Sequence, residues 1–237
     1  MLKKIPALIT QEQNEPVIAL PSNEEVKLAV CGLNGDSNSG PDGFSSHFFQ
    51  EVVNSFTDLR PISLSTFANK IISKVLHERI VTILPSIISS TQTGFVKGRS
   101  IIENVLLAQE LNRYINKRNK LHNVLINLDM AKECDKVSWI FLTKVLWQFG
   151  FSEVVVDMRD PLSPTLFIIA AEVLAKNLNS LHEDITFQGY GMPKWNPQIN
   201  YLSYAEDTIL FCSAESVSLK KMMKTLRDYE KTAGQLC

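Results

Sequence analysis

Two acidic strand ends mark where this chain could do chemistry. Residues 199–212 (INYLSYAEDTILFC) set two mostly apolar, β-favouring runs, 199–205 and 208–212, on either side of Glu206-Asp207. Tyr, Ile, Leu and Phe suit a pleated, half-buried surface and Asp tolerates a turn. The stretch therefore reads as a β-hairpin with two carboxylates at its tip. Upstream, residues 122–129 (HNVLINLD) form a second such run that also ends on a carboxylate, Asp129. An isolated acidic turn is ordinarily just solvated, but two strands in one sheet would bring Asp129 to Glu206 and Asp207. Like charges at close range oppose joint ionisation, so three carboxylates in a small volume call for a cation. An all-oxygen donor set selects Mg2+ or Mn2+. The chemistry such a centre supports is phosphoryl or nucleotidyl transfer, carried by metal ligands Asp129, Glu206 and Asp207.

The elements that must position these residues follow from periodicity. Residues 1–22 are polar with three prolines and read as an extended arm. Ser22 with Glu24 and Glu25 opens a short helix over 23–33, residues 34–43 (NGDSNSGPDG) are a turn segment, and a second amphipathic helix covers 44–54. Phe67, Ile71, Ile72, Val75, Leu76, Ile80, Ile83 and Leu84 recur at helical steps until Pro85. Residues 94–99 (GFVKGR) form a loop and Ser100 caps a helix to about 117. A helix over 138–149 buries Trp139, Leu142, Val145, Leu146 and Phe149, and a long apolar helix runs from Thr165 to about Leu181. Gly189, Gly191, Pro193 and Pro197 break the chain before the hairpin, and a last helix over 215–233 ends at Gly234. Helices and strands mix without regular βαβ alternation, so the expected fold class is α+β.

The 237 residues suffice for a sizeable core, and no apolar run approaches the roughly 20 residues that span a bilayer. The four cysteines are far apart with no CxxC pair, which reads as reduced thiols of an intracellular protein. The four histidines are equally scattered, which argues against zinc. Net charge is −1, low for a nucleic-acid binder. Residues 1–120 hold 13 Lys/Arg against 11 Asp/Glu, while 121–237 hold 11 against 14, so the proposed metal ligands lie in the acidic half. Basic clusters occur at Lys97-Gly98-Arg99 and over 113–120 (RYINKRNK).

Five motifs in order add a resemblance. Arg60-Pro-Ile-Ser-Leu, Gln92-Thr-Gly-Phe-Val-Lys-Gly-Arg, Leu128-Asp-Met-Ala-Lys, Asp160-Pro-Leu-Ser-Pro and Tyr204-Ala-Glu-Asp together resemble the reverse transcriptase domain of LINE-type non-LTR retrotransposons. The resemblance implies a right-hand polymerase with fingers-like residues 1–120 and palm-like residues 121–237, incomplete and without a thumb. It implies an RNA-directed DNA polymerase acting on an RNA template, a DNA primer and deoxynucleoside triphosphates. Asp129, Glu206 and Asp207 match the family's metal-binding acids. Arg60 matches an arginine that contacts the incoming triphosphate, and Pro161 and Ser163 lie in the segment that lines the template and nucleotide site. Lys97 and Arg99 are the expected nucleic-acid contacts of the loop.

This chain also departs from the family pattern. Glu206 stands where the family carries Asp, and Cys134 where it carries a bulky aromatic that excludes the 2′-hydroxyl, which predicts weak sugar discrimination. Segments are short between Val52 and Arg60 and between Phe151 and Met158, and the chain stops at Cys237. These departures predict an impaired polymerase; the alternative is a catalytically dead remnant that binds nucleic acid.

Overall fold

A computed structural model describes residues 1–31, 67–115, 122–129, 137–157, 163–192, 196, 198–205 and 207–234, with backbone only for residues 3, 31, 67–70, 129, 157, 163 and 164. The turn and helix expected over 34–54 lie outside the described residues, as do 116–120 of the second basic cluster. Three strands, β1 (Asn123–Asp129), β2 (Tyr201–Tyr204) and β3 (Asp207–Ser213), form an antiparallel sheet in the order β1-β3-β2. The helices are α1 (Gln11–Ile18), α2 (Asn23–Cys31), α3 (Phe67–Ile87), α4 (Ile101–Asn112), α5 (Trp139–Phe149), α6 (Glu153–Asp157), α7 (Ser163–Asn179) and α8 (Ser216–Ala233). The α+β expectation is met.

The centre of the molecule is α7. From Thr165 to Leu178 it buries Phe167, Ile168, Ile169, Ala170 and Val173 on several sides, the pattern of a helix enclosed by neighbours rather than laid on a surface. Helices α3, α5 and α8 pack on it. Val124, Ile126, Leu128, Leu210 and Cys212 from one face of the sheet join the same core. Helix α8 ends as expected at Gly234, whose φ of 78° is the left-handed cap that only glycine adopts freely.

Four expectations need correction. The arm over 1–22 is not simply extended, because α1 forms within it. Thr10 Oγ1 accepts from the Gln13 N–H while Gln13 Oε1 accepts from the Thr10 N–H, a reciprocal cap that starts the helix. This segment is pinned to the helices by backbone bonds from Leu8 and Ile9 to the Phe149 carbonyl. Second, α3 continues past Pro85 to Ile87, since a proline in the last turn removes only one hydrogen bond and Ile87 and Ile88 are buried. Third, α4 ends at Asn112 rather than near 117, with turn bonds from Arg113, Tyr114 and Ile115 following it. Fourth, Trp139 is 49% exposed and Phe141 is buried in its place. The packed stripe of α5 runs through Phe141, Leu142, Val145, Leu146 and Phe149, and Trp139 lies roughly 90° off its centre at about 100° per residue.

Candidate active site at the hairpin end of the sheet

The hairpin forms as the pattern requires. Tyr204 pairs with Asp207, leaving Ala205-Glu206 as a two-residue loop. Such a loop needs positive φ at its first position to match the twist of the strands, and Ala205 adopts φ 52°. For an L-residue that conformation costs roughly 1–2 kcal/mol, so something must hold it.

Gln92 does so. Its Oε1 accepts from the Gly94 N–H at 2.8 Å and from the Ala205 N–H at 3.2 Å. Its Nε2 donates to Ser203 Oγ at 3.1 Å and to the Ala205 carbonyl at 3.4 Å. The loop adds a parallel bridge to the edge of β2, with the Ser203 N–H on the Thr91 carbonyl and the Thr93 N–H on the Ser203 carbonyl. Asn104 on α4 donates to the carbonyls of both Thr91 and Ser203. Gly94 lies so close that a Cβ on it would stand 2.3 Å from the Ala205 nitrogen.

Along β1 and β3 the register ends on one pair: Asp129 is the cross-strand partner of Asp207. Opposed residues in an antiparallel ladder belong to the same face of the sheet. That face is covered at its far end, where Phe211 and Leu202 are buried against Leu111 and Tyr190. Asn123 fastens this cover by bonds to Tyr114 and Gly191. Towards the hairpin the cover runs out: Phe211 is buried, Ile209 half-buried and Asp207 exposed, while Asn127 and Tyr204 are exposed beside it. Among the described residues, then, nothing covers Asp207 on this face.

The opposite face of the hairpin is closed. Ser203 Oγ bonds Thr208 Oγ1 at 2.9 Å, and a cavity of about 20 Å³ beneath it is lined by Gln92, Glu172, Tyr201, Ser203 and Thr208 among others. That volume holds a water, not a nucleotide. Buried Glu172 accepts from Ser89 N–H at 2.9 Å and Oγ–H at 2.5 Å, with Lys176 Nζ at 3.4 Å. Burial pushes its carboxyl above the usual range against the pull of these partners.

The remaining expected site residues divide clearly. Lys97 is exposed on the loop. Arg99 turns inward, its Nη1 and Nη2 donating to the carbonyls of Ser89, Gln92, Ile88 and Pro85. Its guanidinium closes the end of α3 and shapes the loop that carries Gln92. Arg60, Cys134, Pro161 and Glu206 lie outside the described residues, and Ser163 is fixed in backbone only, at the first position of α7. Among the described residues no three His, Cys, Asp or Glu side chains form a metal cluster. The donor chemistry of the paired acids, carboxylate oxygens at a strand end, fits a hard divalent cation. Sequence reading assigned no role to Gln92, Gly94 or Asn104; the signal was a Gln-x-Gly in a loop just before a helix cap.

Comparison with known proteins accords with this geometry. Over 92 residues, 39% of this chain, it is 32% identical to the Transposon TX1 uncharacterized 149 kDa protein of Xenopus laevis, and it covers 7% of that protein's length. Residues 53–235 match the family Reverse transcriptase (RNA-dependent DNA polymerase), a span that takes in the loop at 92–99, both acidic strand ends and α8. The chain is a member of the reverse transcriptase (RNA-dependent DNA polymerase) family.

Proposed function

We propose that the chain is the RNA-directed DNA polymerase domain of a retrotransposon protein, extending a DNA primer on an RNA template. The observation that carries this reading is the opposed pair Asp129 and Asp207 at the uncovered end of the sheet. In the proposed architecture 1–120 serve as fingers and 121–237 as palm.

Asp129, Glu206 and Asp207 would hold the divalent ions, Mg2+ or Mn2+. When bound, such ions lower the barrier to attack by the primer 3′-hydroxyl and neutralise the departing pyrophosphate. The protein's own part is positioning rather than covalent chemistry. The β1–β3 ladder sets the spacing of the two aspartates, and a sheet does this more rigidly than a loop. Arg60 would bind the triphosphate, Pro161 and Ser163 would line the template and nucleotide site, and Lys97 would meet the nucleic-acid backbone. Cys134 would floor the sugar pocket; being small, it would let ribonucleotides in.

A second reading, a nucleic-acid-binding protein with little catalysis, is favoured by Glu206. One extra methylene displaces its oxygens by about 1.5 Å, and Mg2+ demands metal–oxygen distances of about 2.0–2.1 Å. Primer extension on an RNA template with Mg2+ or Mn2+ separates the readings. Elongation that disappears in Asp207→Asn supports the polymerase. RNA binding that weakens with salt, without any elongation in either ion, would leave only the second reading.

A further inference from the structure

We propose that Gln92, on a loop distant in sequence from every acid of the site, is a positioning residue for the divalent ion. The proposal rests on the reading of Asp129, Glu206 and Asp207 as the ion's ligands. Glu206 lies between Ala205, which Gln92 grips by both its N–H and its carbonyl, and Asp207. Ala205 holds a left-handed φ of 52°, and no glycine is present there to adopt it without strain. Set free, residue 205 would relax towards ordinary backbone angles, and the carboxylates that follow would turn with it. Gln92 is well built for the task. It is 3% exposed, and its amide supplies both an acceptor and a donor. Its own orientation is set by the Gly94 N–H. The grip has no slack, because Gly94 already touches the Ala205 backbone. Outer partners of ligand-bearing groups typically change metal affinity by 10–100-fold when removed.

The test is Mn2+ titration of the full chain, followed by the loss of the free-ion EPR signal, for wild type, Gln92→Met, Gln92→Glu and Asp207→Asn. Circular dichroism melts set a temperature at which each protein is folded. The expected order is tightest binding in wild type, about 10-fold weaker in Gln92→Met, and intermediate in Gln92→Glu. The glutamate keeps an acceptor for the Gly94 and Ala205 N–H groups but gives up the donor, so it rescues in part. A glutamine that merely stabilised the fold would leave the affinity of the folded protein unchanged. Folded Gln92 variants that bind as wild type does, while Asp207→Asn does not bind, overturn the inference alone. Binding that survives Asp207→Asn overturns the metal-site reading, and this inference with it. If Gln92→Met does not fold, Gln92→Glu decides by the same comparison.

Discussion

Asp129 on β1 and Asp207 on β3 are direct partners in the ladder, at the end of the sheet away from the Leu111–Tyr190 cluster. Residues so opposed stand about 4.5–5.5 Å apart at Cβ, the range at which like charges repel and one cation can bridge both. A strained residue, Ala205, stands two positions before Asp207, and an inward-facing glutamine holds it. The candidate centre is thus a pair fixed by backbone hydrogen bonding, with Glu206 next to Asp207 in the sequence.

Removing either member of the pair separates repulsion from metal binding. Asp207→Asn or Asp129→Asn should raise the stability of the metal-free protein by about 0.2–1 kcal/mol, since like charges opposed on a sheet destabilise it. The same variants should lose the melting-temperature increase that wild type shows on adding Mg2+ or Mn2+, which arises from binding to the folded state. Differential scanning fluorimetry across an ion series reads both effects.

Shortening the third acid should restore geometry. Glu206→Asp is expected to increase primer extension in Mg2+ by as much as about 100-fold, the size of effect that a misplacement near 1 Å produces. Timed extension of a labelled primer measures it. An unchanged rate would mean that the carboxylate's length is not what limits the enzyme.

Lys97 and Arg99 should behave oppositely despite being two residues apart. Lys97→Ala should weaken RNA binding and reduce the slope of log affinity against log salt by about 1, as expected when one phosphate contact is lost. Arg99→Ala should leave the slope of the folded protein alone and destabilise it by about 2–4 kcal/mol, because charge-assisted bonds to several carbonyls go together. Fluorescence anisotropy over a salt series and urea unfolding give the two readouts.

Glu172 should impose a pH dependence on stability. Burial raises its carboxyl in the folded protein above the unfolded value near 4.5, so the native state binds the proton more tightly. Its favourable contribution is complete below that unfolded value and is lost as pH rises through the folded one. Glu172→Gln keeps an acceptor for Ser89 and cannot titrate. The variant should therefore gain stability relative to wild type as pH climbs from about 4.5 to neutrality, visible as a widening gap in urea midpoints. A gap that narrows over the same range would contradict the assignment.

What the residues themselves determined is mostly local. The β-favouring runs ending at Asp129 and flanking Glu206-Asp207, the apolar helix before Leu178 and the stop at Gly234 all follow from neighbours within a turn or two. Even the missed helix α1 carries its signal in Thr10 and Gln13, three residues apart. The family was legible too, because five short motifs keep their order whatever the chain does between them. Tertiary structure decided the rest. Whether Asp129 meets Asp207 is a matter of register, and a slip by one residue would move a strand's side chains to the other face. The outward turn of Trp139 depends on which side of α5 meets its neighbours. That Arg99 meets four backbone carbonyls could be read only from the fold. Gln92 acquires its role from Ala205, 113 residues away. Periodicity reports which groups avoid water, but a hydrogen bond needs a partner within about 3 Å, and only the folded chain supplies one.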